Sequence, residues 1–511
     1  MRKRWFRQLL RRRVFVILLL VLQGLVLIGL ISNASSIARW INTAFRLLSI
    51  LVGLRVVSSR DKPTYKLLWI VLILVFPVFG GLLYLLVTFQ SSTRWVARRL
   101  GELEAASRPL LADGEHTYRA ACERAPECVP QITYLKNSGF PVYDHTSCDY
   151  FSPGEAVFAA LVPALKQARR YIFLEFFILQ EGIMWNTIHD ILREKVQEGV
   201  EVRVLYDDIG SFLTLPKDYA KRLNQEGIQC RVFNRFRPVL SSLQNNRDHR
   251  KIVSVDGEVA FTGGFNLADE YINAIEKHGH WKDAGMVLRG DAAWSLTVMF
   301  LQMWNLTSRT PEDFSAFPPS REGARRWETD GLVQPYADSP VDRENVGEHV
   351  YLQMINNAKR YVYINTPYLI VDDSMLSALS LAAKSGVDVR IITPHHWDKW
   401  IVHITTRAYY KPLLEAGVKI YEYTPGFIHS KMFVSDDQVA IVGTANMDYR
   451  SFYLHFECGV SFYQSTMAAK VRDDILRTLK VCQPVELDEL NRAPLHHRAF
   501  TKLLRLMAPL M

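Results

Sequence analysis

The stretch Ile428-His429-Ser430-Lys431-Met432-Phe433-Val434-Ser435-Asp436, followed by Gly443-Thr444-Ala445-Asn446, decides the fold because the chain contains it twice. The earlier copy is His249-Arg250-Lys251-Ile252-Val253-Ser254-Val255-Asp256, followed by Gly263-Gly264-Phe265-Asn266. Both read His, one residue, Lys, four residues, Asp, and in both an Asn stands seventeen residues after the His. One such pattern arises by chance in a chain this long with odds of roughly a few per cent. Two copies with matching Gly and Asn extensions are a duplication.

Positions i and i+2 of a strand share a face, so His249 lies beside Lys251 and His429 beside Lys431. An imidazole next to an ammonium suits a phosphodiester. The Lys neutralises phosphate oxygens, and the His attacks phosphorus or moves a proton. Asp256-Gly257 is a strong hairpin-turn signal and Asp436-Asp437 a weaker one. About 16 Å of strand, at ~3.3 Å per residue, separates each Asp from its Lys. The residues therefore assign Asp256 and Asp436 to shaping the hairpin or tying it to neighbouring structure. The returning strand should carry Asn266 and Asn446 back beside the His-Lys pairs, as donors to a phosphate oxygen.

The order of elements repeats as well. Tyr171–Leu179 reads as a buried strand, then come helix Ile183–Glu198, strand 199–206, a helix and strand 227–233. Tyr361–Leu369, helix Ser374–Ser385, strand 386–392, helix Thr405–Ala416 and strand 417–423 follow the same plan. Alternating strands and helices predict α/β sheets with helices on their faces. After each Asn the chain re-enters a hydrophobic element with one acid, Asp283 in the first half and Glu457 in the second. An acid buried near a His orients its tautomer and stabilises the imidazolium.

The 511 residues carry a formal charge of +9, with 22 % charged and 49 % hydrophobic residues. A basic balance suits nucleic acid or acidic lipid. The N-terminus separates the two. A basic stretch is followed by the apolar run Val14–Ile31, and Leu67–Phe89 is 23 residues without charge. Both read as membrane spans. Ile41–Val57, with Arg46 and Arg55, reads as a third span or as an interfacial helix. Two spans put the body on the cytoplasmic side and three put it outside. The six cysteines show no zinc spacing, and Cys122 and Cys128 are placed either to bridge or to stay inert. The loop Pro394-His395-His396-Trp397-Asp398-Lys399-Trp400 has two His but no carboxylate cluster for a metal. Its tryptophans suit a headgroup region.

The paired motifs resemble the phospholipase D superfamily over nearly all of 130–483. Phe427-Ile428-His429-Ser430-Lys431, residues 443–452 and 263–271, and Lys62-Pro63 with Pro77 and Gly80 are similar to bacterial cardiolipin synthases across the whole chain. That resemblance implies two phospholipase D-like repeats about a pseudo-twofold, with both His facing one phosphate. The expected organisation is a membrane region at 1–89, a connector at 90–135, repeats at 136–310 and 311–483, and a helical tail at 484–511. The implied reaction is a metal-free and cofactor-free phosphatidyl transfer between two phosphatidylglycerols through a phosphohistidine. His249 is then the nucleophile and His429 the acid/base, although the pattern is symmetric and the roles can be exchanged. The resemblance counts Lys251, Lys431, Asp256 and Asp436 in the catalytic motif and Asn266 and Asn446 as substrate-binding. It makes Glu457 a His-supporting acid, and Asp283 its counterpart after a longer insertion. The expected partners are phosphatidylglycerol, other anionic phospholipids and the bacterial cell membrane, in a multi-pass protein. Nucleic acid is not expected, because membrane spans argue against a nuclease. Hydrolysis of the same lipid, with water as acceptor, uses the same motifs. A scaffold built on a dead copy of the fold would have lost a His.

Overall fold

In the computed structural model, the described residues are 36–59, 62–88, 91–111, 115–236, 242–308, 310–319, 329–342, 344–492 and 494–510. They fall into two compact units, one made of residues up to Trp95 with 236–245 and 506–511, the other of Val96–Arg235 and Asn246–Arg505.

In the first unit the expected span Val14–Ile31 lies outside the described residues. Ser36–Ser58 is a helix that exposes Leu47, Ile50, Leu51, Leu54 and Val57 and buries Val52 and Val56. The expected continuous span Leu67–Phe89 is instead two helices, Pro63–Val75 and Pro77–Thr88. Pro77 has no N–H to continue the first helix, and Phe76 turns out of it at φ −129° and ψ 73°. Gly80 makes the fold-back possible, since a Cβ there would lie 2.7 Å from the Leu72 carbonyl oxygen. Ile73 and Tyr84 close the hairpin, with Trp69 edge-on to Tyr84. At ~1.5 Å per residue the two arms span about 20 and 18 Å, short of a hydrocarbon core of about 30 Å. Among the described residues no helix is long and apolar enough to cross a membrane.

The second unit holds both repeats. The first builds a seven-stranded sheet in the order Thr146–Phe151, Gly285–Gly290, Val259–Gly263, Ile252–Val255, Tyr171–Phe176, Glu201–Asp207, Gln229–Phe233. The second repeats that order with Leu332–Asp338, His455–Tyr463, Val439–Gly443, Met432–Ser435, Tyr361–Asn365, Asp388–Pro394, Lys419–Tyr423, and adds Cys482–Pro484 at the edge. Parallel strands lie on one side of each motif hairpin and antiparallel strands on the other. Helices Gly154–Lys166 and Ile183–Gln197 cover the outer face of the first sheet through Val157, Leu161, Ile188 and Leu192. The inner faces meet. Ile252, Ala260, Met286 and Leu288 share one buried cluster with Met432, Val434, Ala440 and Val460. Helix Asp291–Leu306 is buried on nearly every side, which explains its almost uniformly apolar sequence.

The 90–135 stretch is more than a spacer. Its helices Ser91–Ser107, Glu115–Arg124 and Val129–Asn137 dock on the body, with Ile132 and Leu135 buried and Gln131 donating to Ser461. The tail carries helices Leu487–Asn491 and Leu495–Leu506. All six cysteines are free, Cys122 and Cys128 included.

Candidate active site

Each motif hairpin delivers its His and Lys at the end remote from its turn. Lys251 Nζ donates to the His249 carbonyl oxygen at 2.6 Å, and Lys431 Nζ donates to that of His429 at 2.5 Å. Lys431 Nζ also lies 2.9 and 3.0 Å from the two ring nitrogens of its own His429. The His-x-Lys segments lie between strands rather than within one, and each ammonium folds back onto the backbone of its own His, with Lys431 also against the His429 ring.

The carboxylates cross between repeats. His249 Nδ1 meets Glu457 of the second repeat at 2.9 and 3.0 Å, and His429 Nδ1 meets Asp283 of the first at 2.7 Å. Short parallel strand pairs enforce the crossing. Arg247–Asp248, leading into His249, pairs with His455–Phe456, and the His249 N–H donates to the Phe456 carbonyl. Gly426–Ile428, leading into His429, pairs with His280–Lys282, and the His429 N–H donates to the Lys282 carbonyl. Each acid fixes the proton of its imidazole on Nδ1 and leaves the lone pair on Nε2, which in His429 lies 3.0 Å from Lys431 Nζ.

The two acid positions differ in detail. Glu457 also accepts from Thr444 Oγ1 at 2.5 Å. Its counterpart Gly264 has no side chain, and a Cβ there would sit 2.1 Å from Asp283 Oδ1. The Gly-Gly and Gly-Thr variants of the motif therefore match an Asp and a Glu.

Burial governs the charges. His249 and His429 are 7 % and 8 % exposed. Burial drives the His249 imidazole well below its ordinary range, overcoming Glu457, and Lys251 adds to the fall. Burial and Lys431 lower His429 to about 4. Burial lowers Lys251 to about 8 and Lys431 to about 7. Burial pushes the Glu457 and Asp283 carboxyls up, yet the imidazole each one faces holds it below its usual value. Burial thus disfavours the charged forms of both imidazoles and both amines, while each carboxyl stays on the ionised side. An arriving phosphate anion draws protons onto those amines.

Asp256 and Asp436, which the resemblance counts in the catalytic motif, stand at the turns, where the residue spacing expects them. Asp256 accepts the N–H groups of Arg169, Arg170 and Tyr171, and Asp436 those of Lys359, Arg360 and Tyr361. Both take left-handed backbone angles, with φ of 55°. They belong to the motif as ties between the hairpin and the neighbouring strand, not as reacting groups. The Asn266 amide is already committed, accepting from the Ile178 N–H at 3.0 Å and donating to Tyr271 Oη at 2.7 Å. It reaches the site through Tyr271, whose ring stands edge-on to His429 at 5.4 Å. Asn446 keeps more freedom, with a single 3.4 Å contact to Asp448 and a buried Oδ1 that has no partner.

Sequence reasoning missed Trp281 and His455. They occupy equivalent places, two residues before Asp283 and Glu457. Trp281 packs at 5.3 Å from the His429 ring, and His455 at 5.4 Å from the His249 ring. The same-face spacing to the acid was visible, but only pairing across the repeats says which His each one meets. Among the described residues, His249, His455 and Glu457 form the one group able to offer a metal three ligand atoms, all within 4.8 Å of one another.

Comparison with known proteins agrees with this geometry. A family profile described as "Cardiolipin synthase, PLD-like domain" matches residues 161–284 and 351–479, once per repeat. A second, "Phospholipase_D-nuclease N-terminal", matches 47–87. The chain is 34 % identical to a cardiolipin synthase of Alkalihalophilus pseudofirmus, over 92 % of this chain and 94 % of that one. It is 43 % identical to an uncharacterized protein of Streptococcus mutans, over 90 % and 99 %. Among solved structures, phosphatidylserine synthase from Haemophilus influenzae superposes with a TM-score of 0.56 at 12 % identity, covering 75 % of this chain and all of that one.

Proposed function

The chain belongs to the family of phospholipase D-like cardiolipin synthases, and from that membership and the crossed His–acid pairs we propose a two-step phosphatidyl transfer at one shared phosphate. The enzyme is a phosphatidyltransferase that moves a phosphatidyl group from one phosphatidylglycerol to another, giving cardiolipin and glycerol.

In the first step Nε2 of one His attacks phosphorus and the P–O bond to the glycerol headgroup breaks. The opposite His, carrying on Nε2 a proton drawn onto it as the anionic phosphate binds, gives that proton to the departing alkoxide. In the second step that His takes the proton from the primary hydroxyl of a second phosphatidylglycerol. The hydroxyl oxygen attacks phosphorus, the P–N bond breaks and the first His returns to its neutral form. His249 is assigned as nucleophile and His429 as acid/base by resemblance. Lys251 and Lys431 carry the phosphate charge, and Asn446 is the amide available to assist them. Glu457 balances the positive ring of phosphorylated His249, and Asp283 that of protonated His429. The substrates place the enzyme at the bacterial cell membrane, where the N-terminal helices offer apolar faces to lipid.

The observation that carries this reading is the pair of imidazoles, each held by the other repeat's carboxylate. The test supplies labelled phosphatidylglycerol in the presence of EDTA to wild type, His249→Ala and His429→Ala. Cardiolipin and free glycerol from wild type alone support the transfer. Phosphatidic acid and glycerol instead would mean hydrolysis. Label retained on the His429→Ala protein and absent from His249→Ala assigns His249 as the nucleophile; the reverse pattern exchanges the roles.

A further inference from the structure

Two loops leave large apolar side chains in solvent beside the site. Strand Glu201–Asp207 runs into Asp208-Ile209-Gly210-Ser211-Phe212-Leu213, and strand Asp388–Pro394 runs into His395-His396-Trp397-Asp398-Lys399-Trp400-Ile401. The offset that separates Gly199 from Gly386 also separates Leu213 from Trp400, so the loops hold equivalent places in the two repeats. Phe212 is 57 % and Leu213 93 % exposed; Trp397 and Trp400 are 51 % and 50 % exposed. Ile209 and Ile401 are exposed as well.

Neither loop is slack at its root. Ser211 Oγ donates to the Phe177 carbonyl and accepts the Leu179 N–H, and Thr214 Oγ1 donates to the Leu179 carbonyl at 2.7 Å. Phe177 is the residue whose ring stands 5.0 Å from His249. In the second loop Asp398 accepts from Tyr368 Oη at 2.5 Å and from Lys399 at 2.6 Å. Burial pushes the Asp398 carboxyl up, but Lys399, Tyr368 and nearby His429 hold it low. Each loop is thus anchored next to one catalytic histidine while its apolar tip faces out. An apolar tip repeated at both equivalent places flanks the site on two sides, and such patches mark contact surfaces.

The surroundings select the occupant. Trp400 stacks on Phe500 of the terminal helix at 6.2 Å, and Leu503 on that helix is also exposed. Lys217 and Lys221 follow the first loop and Lys502 lies beside Leu503, all exposed, while Arg222 and Lys399 are exposed and paired with Glu181 and Asp398. Half-exposed Trp with flanking Lys and Arg matches the headgroup layer of an anionic bilayer. We propose that the two loops and the Trp400–Phe500 stack dock the body onto an anionic phospholipid surface, which presents the shared site to lipids still in the membrane. This inference rests on the lipid-substrate reading above.

The test uses the full chain with Phe212→Ser/Leu213→Ser and Trp397→Ser/Trp400→Ser. Two substrates are compared: long-chain phosphatidylglycerol in vesicles, and a short-chain phosphatidylglycerol dispersed as monomers. The expected result is a loss of about tenfold or more on vesicles with rates on monomers within about twofold of wild type. Trp397→Phe/Trp400→Phe should also lower quenching of tryptophan fluorescence by brominated lipids in phosphatidylglycerol vesicles. Unchanged vesicle rates, or equal losses on both substrates, overturn the proposal. So does a drop in molecular mass by light scattering in either Ser variant, which would assign the face to a second copy of the chain. A wild type that turns over neither substrate defeats the catalytic reading, whereas unchanged quenching defeats the docking.

Discussion

Glu457 and Asp283 each act on a histidine from the other repeat, and their loss should be felt in the chemical step. Glu457→Gln and Asp283→Asn keep the shape but remove the charge that fixes the tautomer and balances a positive ring. Each should lower kcat by about 10²- to 10⁴-fold with little change in KM, as neutralising the orienting acid does in other His-dependent transfers. Steady-state kinetics on phosphatidylglycerol check this. The lysines set the alkaline limb. Both have lowered values in the free site, about 8 for Lys251 and about 7 for Lys431. Their charged forms, which bind phosphate, are therefore lost as pH rises through that range. kcat/KM should fall between about pH 7 and 9. Lys431→Arg stays charged throughout and should move the alkaline limb upward, at a cost in rate from the altered fit. The pH–rate profile of the variant against wild type decides this.

At the scale of elements, the motif hairpin is a lever with a reactive end and a structural end. Asp256 and Asp436 each accept three N–H groups at the entry to the adjoining strand, at the structural end. Asp256→Ala and Asp436→Ala should each cost about 1–2 kcal/mol of stability, as lost side-chain caps do. Thermal denaturation should show a lower Tm while kcat, measured where the variant is still folded, stays near wild type. A catalytic Asp would give the opposite pattern. The Pro63–Thr88 hairpin makes a similar point. Hydropathy saw one apolar run, but Pro77 ends the helix and Gly80 lets the second arm fold against the first. A Leu at 80 would collide with the Leu72 backbone and force the arms apart, and such overpacking costs about 1–3 kcal/mol.

For the whole molecule, coupling should follow the crossed pairs. In a thermodynamic cycle read by Tm, His249→Ala and Glu457→Gln should couple by about 0.5–3 kcal/mol, whereas His249→Ala and Asp283→Asn should add. What could be read without a structure follows the same division. The His-x-Lys spacing kept each Lys next to its His, though between strands rather than along one, the Asp256-Gly257 turn announced the hairpin, and repeated spacing announced two sheets of one plan. All of these are local in sequence. The partner of each acid, the commitment of Asn266 to Tyr271 and the place of His455 beside His249 depend on contacts between strands far apart in the chain. No single-strand pattern encodes those.

The exchange of carboxylates also speaks to ancestry. A polypeptide with one repeat would possess a histidine and an acid but could not join them, since each acid reaches only the other repeat's imidazole. Two identical copies meeting across a symmetry axis would complete both pairs at once. Association first and fusion of the two coding halves second is therefore the simplest history. In the joined chain each half carries its own match, Gly264 leaving room for Asp283 and Thr444 donating to Glu457.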